Sequence, residues 1–345
     1  MKQNKKIRLG LAGCGRVSLY HFESLKKLQH MADLVAVCDP SPEKIAAAVE
    51  KTGARGYNSI AEMLANEQLD AITLSTPNGL HAQEIIQVAN AGVNVISEKP
   101  MAITWEDGLK AYTACKDKGV KLFIIHQNRF NETMQAVWKA HREGRFGRIY
   151  MITSNVFWQR PQDYFDKVAT WHGTKALDGG AYYTQASHYV DVIQWLAHSE
   201  PKSVYANLKT MARKIETEDA GMAIIEFANG ILSSMNVTVL SYPNNLEGSI
   251  TIIGEKGTVK VGGTAMNRID HWAFEDKKPE DETIRNASYD TSSVYGFGHA
   301  DNYENIFQDL LGGEPALITG EEGLKSLKIL CAIYDASKQG KPIIF

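Results

Sequence analysis

Short apolar runs alternate with helical patterns through the first third of the chain. Ile7 to Ala12 is one such run, and after it Val17, Tyr20, Leu25 and Leu28 recur at helical spacing across 16–29. Further strands are predicted over 33–39, 70–76, 93–97 and 120–126, with helices over 41–53, 80–91 and 104–118. The 41–53 helix carries its own boundary signals: Ser41 as N-cap, Pro42 at the first helical position and Gly53 as the stop. Strands alternating with helices of this length predict an α/β domain over residues 1–125, built on a doubly wound parallel sheet.

The pattern changes after about residue 125. Long strands with tight connections are predicted over 148–158, 202–213, 220–228, 231–242 and 249–261. Asn229-Gly230 and the stretch from Gly254 to Gly257 read as hairpin turns. Along 231–240 one face carries Ser234, Asn236 and Thr238, and the other Ile231, Met235, Val237 and Val239. Helices over 180–197, 301–312 and 321–339 have the apolar face to cover the second set. Residues 126–345 therefore read as an α+β domain with a mostly antiparallel sheet, the last residues being free to return to the first domain. The polar face of 231–240 is left for solvent or for another subunit. The polar stretch 276–293 reads as an excursion loop, and no repeat or low-complexity linker interrupts the chain.

Composition narrows the class. The 345 residues suit two domains, and 44% hydrophobic with 22% charged residues is the balance of a soluble globular protein. A net charge of -3 gives no drive toward nucleic acid, and no apolar run approaches a membrane span of about 20 residues. The basic start followed by Leu11-Ala12-Gly13-Cys14 imitates a lipoprotein cleavage site, but Arg8 interrupts the short apolar region and excludes a signal peptide. Cys14, Cys38, Cys115 and Cys331 form neither a C-x-x-C pair nor a metal-ligand spacing. No metal is expected, and scattered thiols point to the cytoplasm.

The first candidate site follows the first strand. Gly13, Gly15 and Ser18 read G-x-G-x-x-S at a strand-to-helix turn, with Cys14, Arg16 and Val17 in the same loop. The first glycine permits the tight turn, and the second admits a pyrophosphate close to the backbone. Ser18 stands where a third glycine packs the helix on the strand. The helix start adds amide donors and the positive end of its dipole. Asp39 ends the second strand, where a carboxylate accepts the ribose hydroxyls and repels a 2′-phosphate, so NAD is expected over NADP. Ser75, Thr76, Asn78 and His81 follow the third long strand, at the sheet edge where such folds bind ligands. Asn78 also suits an N-cap.

Lys99 sits at the end of the strand 93–97, between Glu98 and Pro100. Proline biases the lysine toward extended backbone and so aims its side chain. Glu98 is placed to orient that loop or to bond the cofactor. Two glycines, Gly179 and Gly180, precede a segment carrying Thr184, His188 and Asp191 near one helical face. Gln127 is a candidate cofactor contact, and Arg129 a structural residue.

The S-E-K-P sequence, the glycine pair before His188 and the two-domain order resemble the glucose–fructose oxidoreductase / inositol dehydrogenase / MocA family over essentially the whole chain. The resemblance implies a Rossmann domain that binds NAD, an α+β domain that binds a sugar and builds the oligomer, and Lys99 and His188 as the catalytic pair. The family's sugar dehydrogenases carry an aspartate four residues before that histidine, and here Thr184 stands in its place. Proton handling is therefore expected to lean on Lys99. Four stretches, 155–166, 171–191, 234–263 and 293–306, resemble family members that oxidise the 3-hydroxyl of a UDP-linked N-acetylated glucuronate (UDP-GlcNAcA) in the biosynthesis of bacterial surface polysaccharide such as O-antigen. That implies a homotetramer, a 3-keto product and, as a possible second substrate, 2-oxoglutarate. Candidate substrate contacts are Lys99, Arg160, Tyr164, Thr184, His188, Tyr242 and Asn244. An inositol or simple sugar dehydrogenase, an NAD-retaining glycoside hydrolase and a non-catalytic nucleotide sensor are the alternatives.

Overall fold

A computed structural model of the chain describes residues 6–168, 170–291 and 294–345. Ser292 and Ser293, the end of the expected excursion loop and the start of the 293–306 stretch, lie outside the described residues. The chain divides into two compact units. One comprises the residues up to His126 together with His299–Leu327, and the other comprises Gln127–Gly298 and Lys328–Phe345.

In the first unit, β1 (Ile7–Ala12), β2 (Ala32–Cys38), β3 (Arg55–Tyr57), β4 (Ala71–Leu74), β5 (Asn94–Glu98) and β6 (Leu122–Ile125) form a parallel sheet in the order β3-β2-β1-β4-β5-β6. β4 and β6 are buried along their whole length, as strands covered on both faces must be. On one face, Leu25 and Leu28 of the helix Ser18–Lys27 join Tyr303, Ile306 and Phe307 of the helix His299–Leu310 over Leu9, Ile96 and Phe123. A second cluster packs Phe22 and Ala48 with Leu11 and Val37. The winding direction reverses between β1 and β4, and the crevice at the carboxyl ends of these strands is where such sheets take ligands.

The helix boundaries follow the chemistry of their end residues. Ser41 accepts a hydrogen bond from the Lys44 amide, Pro42 opens the helix Pro42–Thr52, and Gly53 closes it in left-handed geometry at φ 73°. Thr104 caps Trp105–Lys118 in the same way. β3 and the short helix Ile60–Asn66 add to the expected elements of this unit.

In the second unit, β7 (Ile149–Phe157), β8 (Pro201–Lys209), β9 (Ala220–Phe227), β10 (Leu232–Thr238), β11 (Glu247–Gly254), β12 (Gly257–Gly262), β13 (Arg268–Phe274) and β14 (Ile343–Ile344) form a sheet in the order β13-β12-β11-β7-β10-β9-β8-β14. All neighbours are antiparallel except β7 and β10. The Asn229-Gly230 turn joins β9 and β10, with Gly230 at φ 87°. Alternation along β10 is as expected: Met235 and Val237 are buried, while Ser234, Asn236 and Thr238 are partly exposed. The same partly open face carries Tyr205, Met222, Ile224, Leu232, Met151 and Ile253, all exposed in this chain.

The helical segment expected over 180–197 is two pieces, Ala181–Thr184 and Ser187–Ala197. Every residue of the second piece is buried. A helix buried all round must satisfy its polar groups internally, and this determines how His188 and Asp191 are held.

Candidate functional site

The glycine loop of the first unit has the shape of a nucleotide cradle. Gly13, at φ 90°, donates its amide to the Cys38 carbonyl. A Cβ at Gly13 would lie 2.6 Å from the Ser75 carbonyl oxygen, so only glycine lets β1 turn this close to β4. A Cβ at Gly15 would meet nothing within 4 Å: this glycine faces open space, as the backbone that approaches a pyrophosphate should. Ser18 is buried and donates its hydroxyl to the Gly15 carbonyl at 2.6 Å, tying the helix start to the loop. Arg16 is exposed and Val17 partly exposed at the helix start.

Asp39 locks the loop from the side. Its Oδ2 accepts from the Cys14 amide and its Oδ1 from the Ser41 amide, both at 2.9 Å. Burial pushes the Cys14 thiol up to about 12, with the Asp39 charge adding to it, so Cys14 is an inert packing residue. Ser75 spends its hydroxyl on the carbonyls of Ala12 and Gly13. Thr76 donates to Glu84, whose carboxyl burial raises to about 7. His81 is fully buried, with Nδ1 at 2.7 Å from the Pro100 carbonyl and Nε2 at 2.8 Å from that of Thr76. It joins the loop after β4 to the loop after β5, and burial pulls its pKa down against the pull of those carbonyls. Asn78 is buried in the short 3₁₀ turn between Thr76 and His81. These groups fit a dinucleotide: an open backbone loop, a helix N-terminus, and a carboxylate at the end of β2.

Lys99 follows β5 directly, with a cis peptide to Pro100. Its amide donates to Oε2 of Glu98 at 3.1 Å. Glu98 is only 6% exposed, and its Oε1 lies 3.3 Å from His21 Nε2 and 3.8 Å from His299 Nε2. Burial alone would raise this carboxyl, but the two imidazoles hold it well below the usual carboxylate range. The pattern along the chain singled out neither histidine, because they stand 278 residues apart on helices whose periodicity reports only the apolar face.

In the second unit, the buried Gln127 places its amide nitrogen 3.2 Å from Nε2 of His188. Arg129 makes a bidentate pair with Asp191, Nε to Oδ2 and Nη2 to Oδ1, each 2.7 Å, with both side chains almost fully buried. Arg129 is thus the structural residue expected, and it occupies the carboxylate one helical turn beyond His188. Thr184 lies on the separate short helix and donates its hydroxyl to Oδ1 of Asp178, whose Oδ2 accepts from the Gly173 amide at 2.7 Å. A carboxylate therefore stands one side chain behind the threonine. Asp178, Thr184, Gln185, Thr217 and Glu218 line a small recess.

Beside it, the Arg160 guanidinium donates to Gln185 Oε1 at 2.9 Å and to Asn245 Oδ1 at 3.1 Å. Its carbon lies 5.2 Å from the Trp158 ring centre and 5.5 Å from that of Tyr164. Tyr164 stacks on His172 at 4.4 Å and accepts from Gln185. The arrangement is a cation among aromatic faces, suited to an anionic, ring-bearing ligand. Tyr242 is 94% exposed and Asn244 is also on the surface, so the loop 241–246 reaches the Arg160 cluster through Asn245.

Comparison with known proteins places both halves. Residues 7–126 match the description "Oxidoreductase family, NAD-binding Rossmann fold", and residues 139–345 match "Oxidoreductase family, C-terminal alpha/beta domain". The chain is similar to the WlbA dehydrogenase of Bordetella pertussis, solved with NADH and UDP-GlcNAcA, at 51% identity over 100% of this chain and 99% of that one, with a TM-score of 0.95. The WlbA enzyme of Chromobacterium violaceum, solved with the same two ligands, is 47% identical over 100% of this chain and 97% of that one, with a TM-score of 0.94. Inositol 2-dehydrogenase of Rhizobium meliloti is 30% identical over 73% of this chain and 74% of that protein.

Proposed function

Since the chain belongs to the Gfo/Idh/MocA oxidoreductase family, with an NAD-binding Rossmann fold and the family's C-terminal domain, we propose that it oxidises the 3-hydroxyl of UDP-GlcNAcA to the 3-keto sugar with NAD. The observation that carries this reading is likeness along the whole chain, at about half identity, to two dehydrogenases that hold NADH and this nucleotide sugar. Bound NAD supplies the hydride acceptor. Gly13, Gly15 and the start of the helix Ser18–Lys27 hold its phosphates, and Asp39 its ribose.

Lys99, in its neutral form, takes the proton from the sugar hydroxyl. A free lysine has a pKa near ~10.4, and a positive ring next to the amine disfavours the ammonium. His188 is the second catalytic residue of this reading. The Gln127 amide nitrogen, 3.2 Å from Nε2 of His188, is placed to donate to that nitrogen. The Arg160 guanidinium, between Trp158 and Tyr164, suits the uronate or phosphate charge of the substrate. The open sheet face with Met222, Ile224, Tyr205 and Leu232 is a surface of the kind that subunits cover, in keeping with a homotetramer. A cytoplasmic role in making surface-polysaccharide sugars, with 2-oxoglutarate as the acceptor that resets the enzyme, belongs to the same reading.

The test is incubation with NAD and a panel of UDP-sugars with and without the carboxylate, followed by mass spectrometry. UDP-GlcNAcA should lose two hydrogens, with UDP-N-acetylglucosamine unchanged. Release of free sugar with no loss of hydrogen would replace the dehydrogenase by a glycosidase.

A further inference from the structure

Glu98 is a buried carboxylate with an unusual set of neighbours. His21 comes from the helix Ser18–Lys27, His299 and Tyr303 from the helix His299–Leu310, and Thr73 from β4. The Tyr303 hydroxyl lies 3.0 Å from His21 Nδ1 and 3.0 Å from Thr73 Oγ1. The His299 ring stacks on Tyr20 at 5.8 Å and meets His21 edge-on at 5.6 Å. All of these except Tyr20 are buried. Lys99 and His81 also act on this cluster by their charge.

Donor and acceptor counting allows a chain that runs toward Glu98. A carboxylate only accepts, so the nitrogen facing it must carry hydrogen. With hydrogen on Nε2, His21 can accept at Nδ1. Nδ1 then accepts from Tyr303, and Tyr303 accepts from Thr73. Three hydroxyl or imidazole groups are thereby aligned with their donors pointing at Glu98. The other carboxylate oxygen accepts from the Lys99 amide.

We propose that the Thr73–Tyr303–His21 chain, together with His299, keeps Glu98 as a fixed negative neighbour that orients the backbone at Lys99 and sets the charge on its amine. These are positioning residues, and the inference rests on the reading of Lys99 as the base. A fixed anion on the adjacent residue favours the ammonium and opposes the effect of a positive nicotinamide ring. The cluster therefore sets the pH at which the base becomes available.

The amine is read directly, without substrate, by trace acetylation of the full-length protein with acetic anhydride over a range of pH and mass spectrometry of the Lys99 peptide. Glu98→Gln keeps the side chain's shape and removes its charge. It should lower the half-labelling pH of Lys99 by on the order of one unit. Tyr303→Phe removes one hydroxyl and frees His21 to turn its bare nitrogen toward Glu98, which then binds a proton more readily. It should move labelling the same way by less, and it serves alone if the amide variant fails to accumulate. In turnover, Tyr303→Phe should move the acidic limb of the kcat–pH profile in the same direction as labelling, and the double variant should move it no further than Glu98→Gln.

Unchanged labelling in both variants, or shifts that add in the double variant, would overturn the proposal. Full turnover in Lys99→Ala would instead sink the catalytic reading, and the labelling shift would still decide whether Glu98 governs the amine.

Discussion

The amide nitrogen of Gln127 lies 3.2 Å from Nε2 of His188, at the start of a helix with every residue buried. With its nitrogen on this side, the amide donates to the imidazole. His188→Asn should lower kcat by about 10²-fold, the scale of a lost acid–base group. Gln127→Leu keeps the bulk and drops the donor, and should cost about tenfold. Steady-state kinetics at saturating substrate checks both, and His188→Asn at parental kcat would remove the imidazole from the reaction.

Asp39 holds the glycine loop by two amide hydrogen bonds and stands where the adenosine ribose is expected. Asp39→Ala should raise the Kd for NAD about tenfold, the equivalent of one charge-assisted hydrogen bond. It should also narrow the preference over NADP, because the charge that repels the 2′-phosphate is gone. Calorimetric titration with both dinucleotides measures this; an unchanged NAD to NADP ratio would argue against the assignment.

Arg129 and Asp191 form a buried pair with two 2.7 Å hydrogen bonds. Removing one partner strands the other charge in the interior. Arg129→Met or Asp191→Leu should each cost about 3–5 kcal/mol in denaturant unfolding, and the double variant should recover much of the loss. Costs that simply add would show that the two do not act as a pair.

Glu218 accepts from the Tyr334 hydroxyl at 2.6 Å and the Tyr182 amide at 3.0 Å, yet burial still raises its carboxyl from 4.5 to about 7. Between those values the folded protein binds more protons at this site than the unfolded chain does. Stability should therefore fall as pH rises from 4.5 to about 7 and level off above. Glu218→Gln should remove that decline, gaining up to about 3 kcal/mol over the wild type at pH 8 relative to pH 4. Melting temperatures across this range decide it: parallel curves for the two proteins would contradict the raised carboxyl.

The fold was legible where local chemistry and burial agree. β1 ends at Ala12 as its apolar run does, and Ser41, Pro42 and Gly53 frame their helix. β3 escaped notice because Arg55 and Gly56 are exposed on an edge strand too short to show alternation. β13 did so because exposed and partly buried residues fill its alternate positions. The helix Glu132–Arg142 has the periodicity but follows a polar 3₁₀ turn that reads as loop. At the site, Gly13, Asp39 and Lys99 stand out because strand ends and glycines are marked in the chain. Asp178 behind Thr184, Gln185 beside Arg160, and the histidines around Glu98 arise only from packing, and no spacing announces them.

The central claim is hydride removal from C3 of the nucleotide sugar, and isotope transfer tests it most directly. UDP-GlcNAcA carrying deuterium at C3 is incubated with the protein and NAD, and both products are read by mass spectrometry. The account predicts a 3-keto sugar that has lost the label and a reduced nicotinamide, bound or released, that has gained it. Label retained in the sugar, or lost to water with none in the dinucleotide, would contradict it.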